Sequence, residues 1–163
     1  MKHDLPPRRG PHPQTTDCAP HSQVDQLVPE AERRRLGLLL AGKVKGLGDI
    51  SDGPSRRAPP GTIGLYLAPD CCCGDAEAFL LANEIAHVHI EDDGALHAVL
   101  PDGIREQAIE AGWAEYHPLA GQPTVSPRTV MIYAPRDENE VDTVMLLLQE
   151  TYGAARARTS ADG

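Results

Sequence analysis

Residues 83–100 read NEIAHVHIEDDGALHAVL, and this stretch decides the fold. Two short apolar runs flank an Asp92-Asp93-Gly94 turn signal. That pattern predicts a β-hairpin with strands over 84–90 and 95–100. Side chains two apart on a strand share a face, so His87 and His89 point the same way. The direction of His97 depends on the turn. A three-residue loop over 92–94, a type I turn closed by a left-handed glycine, pairs Glu91 with Ala95, Ile90 with Leu96 and His89 with His97. All three histidines then lie on one face. A two-residue Asp93-Gly94 turn instead pairs Ile90 with His97 and sends His97 to the opposite face. Both turns suit Asp and Gly; the three-residue loop is the favoured reading.

Working outward, TIGLYLA (62–68) and TVMIYA (129–134) read as further strands. A first helix is expected over 29–40, with Pro29 at its first position and Gly42 as its stop. Its Arg33-Arg34-Arg35 run reads as a solvated face. A second helix is expected over 103–114, capped by Asp102. The last helix is the clearest. Asp137 and Glu140 form an N-cap and N3 pair, and Val141, Val144, Met145 and Leu148 follow at helical spacing until Gly153. Residues 46–61 and 118–127 are rich in breakers and read as loops. Periodicity does not assign 75–83. The fold class is therefore α+β: a small mixed or antiparallel sheet with a histidine-bearing hairpin, packed by three helices, with an extended N-terminal arm. The expected division is a Pro-rich arm over 1–26, a single domain over 27–153 and a frayed tail over 154–163. The arm is either a loose tail or a strap over the domain, anchored around 21–26.

Length and charge narrow the functional classes. The chain has 163 residues, enough for one ordinary domain. Its net charge of −9 repels phosphate backbones, so no nucleic-acid partner is expected. No apolar run reaches the roughly 20 residues of a membrane span, so no membrane partner is expected either. MKHDLPPRRG has no apolar signal region, which points to a cytoplasmic protein. Cys18 and the Cys71-Cys72-Cys73 run match no zinc spacing and read as reduced thiols.

Three imidazoles on one sheet face serve as metal ligands or as proton-transfer groups. The plain alternative is a water-exposed polar face. Glu84 precedes His87 by three residues, which on a continuous strand puts it on the other face. It joins the histidines only through a bulge or bend. No GxSxG elbow is present.

The stretch over 83–152, with HVH, His97, GWAEYHPLAG and VMIYAPR, resembles the fungal luciferase family and its bacterial luciferase-domain relatives. RRGPHPQTTD and PHSQVDQ resemble the arm of the bacterial members; residues 28–78 carry little of the likeness. The resemblance implies oxidation of a hydroxylated styryl-pyrone with O2 through a peroxide and loss of carbon dioxide. It implies no flavin, nicotinamide or ATP, only a small-molecule substrate and O2. Fungal members carry a membrane helix that this sequence does not show, and many members have Ser or Thr at the position of Ala95.

On that basis His87, His89 or His97 is the expected base that removes an enolic proton. Glu84 is the orienter, and His117 closes the site. Trp113 and Tyr133 either stack on a planar ring or pack in the core. Arg136 either holds an anionic oxygen or pairs with surface carboxylates. In one alternative His87, His89 and His97 bind a transition metal ion (Fe, Cu, Ni, Mn or Zn), with Glu84 or His117 added. In another, the domain is a non-catalytic binding module for a small molecule. The oligomeric state stays open.

Overall fold

The computed structural model describes residues 4–158. Helix α1 (Glu30–Lys45) is followed by strands β1 (Ile50–Pro54), β2 (Ile63–Leu67), β3 (Glu84–Val88) and β4 (Leu96–Val99). Helix α2 (Ile104–Glu110), β5 (Ala114–Tyr116), β6 (Thr129–Ile132) and α3 (Glu138–Arg156) complete the order. The strands form one antiparallel sheet in the order β1-β2-β3-β4-β6-β5. This is the expected α+β class with three helices.

One sheet face is apolar. Leu65, Ala86, Val88, Leu96, Ala98, Val130 and Ile132 pack there with Leu36, Leu40 and Val44 of α1 and Val141, Val144 and Leu148 of α3. Alternation then sends the intervening residues to the other face. Those residues form a row across five strands: Gly64, His87, His97, Met131 and Glu115. The histidine row exists because its strand neighbours are committed to the helical layer.

The hairpin register differs from the expected one. His87, not His89, pairs with His97, and Val88 pairs with Leu96. The strand hydrogen bond from His89 N to Ala95 O closes a five-residue loop over 90–94, in which the His89 carbonyl accepts from both Asp92 N and Gly94 N. The Asp93 carboxylate pins that loop by accepting from Ala95 N and Gln23 N. The shift is two residues. An even shift preserves facing, so the three histidines still share a face.

Several boundaries moved for tertiary reasons. Helix α1 runs through Gly42 to Lys45 because Val44 is fully buried. That burial outweighs the roughly 1 kcal/mol cost of an interior glycine. Pro29 is the N-cap rather than the first helical residue. Helix α3 likewise passes Gly153 and buries Ala155. The Cys71–Cys73 segment explains where it ends: Cys73 N and Gly74 N both donate to the Ala155 carbonyl. A Cβ on Gly74 would lie 2.3 Å from the Ala154 carbonyl oxygen, so only glycine permits this approach. Asp102 does not cap α2; Gly103 is its N-cap, and Asp102 pairs with Arg105 at 2.8 Å. The helix stops at Glu110, and Ala114 instead opens β5. Residues 50–54 form edge strand β1, which the breaker-rich sequence concealed. Its polar pattern and terminal Pro54 suit an edge. Arg33 is not simply solvated, since its Nε donates to the Ile90 carbonyl at 3.1 Å.

The arm is a strap across the histidine face. Trp113 Nε1 donates to the Pro6 carbonyl at 2.7 Å, and Arg8 N donates to the Ala111 carbonyl. Thr15 bridges to Gln23, and the Gln23 side chain accepts from Ala134 N. Among the described residues, no helix is long and apolar enough to cross a membrane.

Candidate active site

Strands β3 and β4 place His87 and His97 side by side, and His89 follows at the end of β3. Ring centroids are 5.1 Å apart for His87 and His97, 5.1 Å for His87 and His89, and 4.7 Å for His89 and His97. All three are buried, so they do not form a water-exposed polar face. One ring nitrogen from each lies within 4.8 Å of the other two. His117, in the turn after β5, brings its ring 4.7 Å from that of His97.

Glu84 reaches this group because β3 carries the bulge that the spacing required. The β2–β3 register slips by one residue between Leu65 and Tyr66, so Tyr66 pairs with Glu84. The Glu84 side chain is fully buried and lies 2.7 Å from His87 Nδ1. It also accepts from Ser55 Oγ at 2.9 Å. Burial works to raise the Glu84 pKa, but the hydrogen bonds from His87 and Ser55 prevail and hold it below the usual range. Glu84 is therefore ionised at neutral pH, and His87 carries its proton on Nδ1. Burial keeps His87 neutral by lowering its pKa, even against the raising effect of Glu84. With Nδ1 so fixed, His87 Nε2 accepts from His97 Nδ1 at 3.1 Å.

His97 is held neutral even more firmly. Burial pushes its pKa well down, and the surrounding imidazoles push it further. His117 is lowered to about 4, first by burial and then by His21 and the cluster. His97 Nε2 and His89 Nδ1 are buried without a hydrogen-bond partner. His89 Nδ1 lies 3.3 Å from Asp93 Oδ1, near enough for an ion pair but out of line for a hydrogen bond. Burial works to raise the Asp93 pKa, but His89 and the amides of Gln23 and Ala95 prevail and lower it, so Asp93 is ionised.

Sequence reasoning missed a second histidine–carboxylate pair. His21 descends from the arm, is buried, and stacks on His97 with an interplanar angle of 11°. Its Nε2 lies 3.0 Å from Glu115 Oε2. Glu115 also accepts from Thr15 and from the Tyr133 hydroxyl. These donors overcome the upward effect of burial and keep Glu115 ionised. The proton of His21 is therefore on Nε2, and its Nδ1 is buried and bare. Ser55, Asp93 and Glu115 carried no signal in the sequence, since each meets its histidine through a bulge, a loop or a distant strand. His21 was legible only as an anchor of the arm.

These groups open on a cavity of about 280 Å³. His21, His87, His89, His97 and His117 line it, with Leu80, Leu119, Val125, Pro20 and Pro59 supplying apolar wall and Arg57 a cation. An apolar hollow with a few convergent polar groups suits a small planar ligand.

Three expected contacts fall elsewhere. Trp113 packs in the main core and ties down Pro6. Tyr133 packs with Ala95 and Met131 and donates to Glu115 at 3.0 Å. Arg136 is bound to Glu140 at 2.6 Å and donates to the Arg9 carbonyl at 2.9 Å, so it clamps the arm to α3. None of the three lines the cavity. The aromatic rings were drawn into the core by their area, and Arg136 by the Glu140 carboxylate, itself buried at the start of α3.

Residues 82–151 match the family model described as a luciferase domain. Over this segment the chain is similar to luciferase domains. A luciferase of Armillaria gallica is 29% identical over 161 residues, covering 92% of this chain and 60% of the relative. A luciferase of Armillaria mellea is 28% identical with the same coverage. One from Neonothopanus nambi is 36% identical over 73 residues, 44% of this chain and 27% of the relative. The chain thus spans about 60% of the length of the Armillaria relatives. No solved structure matches it. The likeness to the Armillaria proteins also takes in most of residues 28–78, as the 92% coverage requires. Every histidine on β3, on β4 and after β5 lies within the family-model match, whereas His21 lies outside it.

Proposed function

We propose that this protein oxidises a small enol-bearing, pyrone-like molecule with O2, using an imidazole of the cavity as the base. One observation carries the reading: neutral, buried imidazoles, backed by ionised carboxylates, open on an apolar cavity. A neutral imidazole with one nitrogen fixed by a carboxylate presents a bare lone pair on the other, and the resulting imidazolium is stabilised by the carboxylate. His21 with Glu115 has this form, and in His87 with Glu84 the second nitrogen accepts from His97.

The enolic O–H bond breaks, its proton moves to the imidazole, and its electron pair stays on the enolate. The enolate carbon then gives an electron pair to O2 and forms a C–O bond. The peroxide oxygen takes the proton back from the imidazolium, and the base is restored. The apolar wall excludes water that would compete for the enolate. Neither flavin nor nicotinamide is needed for this sequence.

Oxygen uptake by the full chain with a 4-hydroxy-2-pyrone tests the reading. Uptake by the native protein and its loss in a folded His89→Ala variant are expected. Binding of the pyrone without any uptake would instead make the cavity a non-catalytic binding site.

A further inference from the structure

We propose that His87, His89 and His97 hold one divalent transition-metal ion, with Glu84 and Asp93 as the carboxylates that orient two of its ligands. What the ion does there rests on the oxygenase reading above; whether it binds does not.

The geometry is that of a ligand set. His87 Nε2 and His97 Nδ1 are 3.1 Å apart and share one proton, which an ion would displace to the unpartnered His97 Nε2. Two nitrogens bound to one ion at about 2.1 Å stand roughly 3.0 Å apart at an octahedral angle and about 3.4 Å apart at a tetrahedral one. The observed separation falls between these. The third nitrogen, from His89, lies within 4.8 Å of both, so a ring movement of at most about 2 Å brings it to ligand spacing. Imidazole ligands select zinc, iron, copper or nickel over calcium and magnesium.

The surroundings point the same way. Metal-binding histidines almost always present their other ring nitrogen to a carboxylate or carbonyl, which fixes the tautomer. Glu84 does this for His87 at 2.7 Å, and Asp93 stands 3.3 Å from His89. Both carboxylates are buried, and they balance the charge of a divalent ion in a chain interior. His97 Nε2 and His89 Nδ1, the other nitrogens of these two rings, are buried without a hydrogen-bond partner, so each can carry the proton while its ring binds the ion through the opposite nitrogen.

A competing trio, His21, His97 and His117, is also close enough to hold an ion. Its tautomers argue against it. The Leu119 amide donates to His117 Nδ1 at 3.1 Å, which places the His117 proton on Nε2 and leaves no free lone pair. With an ion at the first trio, three protein ligands leave positions open towards the cavity for a substrate oxygen. His21 then remains as the carboxylate-backed imidazole with a bare nitrogen, and the proton-accepting role falls to it.

The test is titration of the chelator-stripped full chain with Co2+, followed by visible absorption and elemental analysis. One equivalent with a nitrogen-ligated spectrum is expected. His89→Ala should lose it, and His117→Ala should keep it. Glu84→Gln should keep the stoichiometry and bind 10- to 100-fold more weakly. Circular dichroism verifies that each variant is folded. Absence of binding, or unchanged binding in folded His89→Ala, overturns the site. Loss in His117→Ala with retention in His89→Ala moves the ion to the other trio and also overturns it. Unchanged affinity in Glu84→Gln overturns the role given to the carboxylate. Bound metal without pyrone-dependent oxygen uptake leaves the site standing and removes the oxygenase reading. Uptake by metal-free protein leaves the oxygenase reading standing and removes any need for the ion in it.

Discussion

Acidifying the chelator-treated protein from pH 7 to pH 5 should cost it about 3 kcal/mol of stability. The cause is the neutral histidine cluster. His97 is held neutral first by burial and then by four neighbouring imidazoles, and His117 titrates at about 4. In the unfolded chain both titrate near 6.5. Below that value the unfolded state binds protons that the folded state refuses, so stability falls as pH falls. A histidine that stays neutral in the fold loses about 2 kcal/mol across this window. His97, nearly inaccessible, contributes close to that amount. His117 is half-buried, and solvent screening reduces its share to about 1 kcal/mol. His87, lowered by burial, adds in the same direction. The ionised Glu84, Asp93 and Glu115 have depressed pKa values, so their stabilisation fades only at lower pH. Urea unfolding followed by far-UV circular dichroism at pH 7.5, 6 and 5 measures this. With m about 2 kcal/mol/M, the midpoint should drop by about 1.5 M. His97→Asn should lower stability at pH 7.5 but shrink the pH-dependent drop by about 2 kcal/mol. A flat midpoint from pH 7.5 to 5, or a His97→Asn variant with the full drop, refutes the reasoning.

Two further expectations concern the scaffold. A Cβ on Gly37 would sit 3.2 Å from Ile90 Cγ1, so Gly37→Val should push α1 off the hairpin and cost about 1–3 kcal/mol in a denaturant titration. Gln23→Ala removes the acceptor of the buried Ala134 amide and should cost about 1–3 kcal/mol. It should also speed proteolytic cleavage within residues 14–26, which time-resolved digestion would show.

The hairpin shows how far local reasoning reached. Facing depends only on whether a register shift is odd or even. The histidines were therefore placed together although the pairing was off by two residues. The Asp137 N-cap and the stripe of α3 were equally legible, because both are written within one turn or one helix face. Glu140 departs from the expected reciprocal cap by accepting from Arg136 N rather than from Asp137. That detail follows from the arm clamp around Arg136.

By itself, the sequence determined the α+β class, the three helices, the hairpin and the shared face of His87 and His89, while the register in the fold placed His97 with them. The former follow from periodicities of two and 3.6 residues, which are local properties of the chain. Only the tertiary structure decided that Glu84 turns inward, that Trp113 and Tyr133 belong to the core, and that Arg136 fastens the arm. It alone brought His21 and Glu115, 94 residues apart, to the same cavity. Those outcomes depend on a bulge, on competition for buried volume and on long-range partners for buried charge. None of these leaves a period in the sequence to be read.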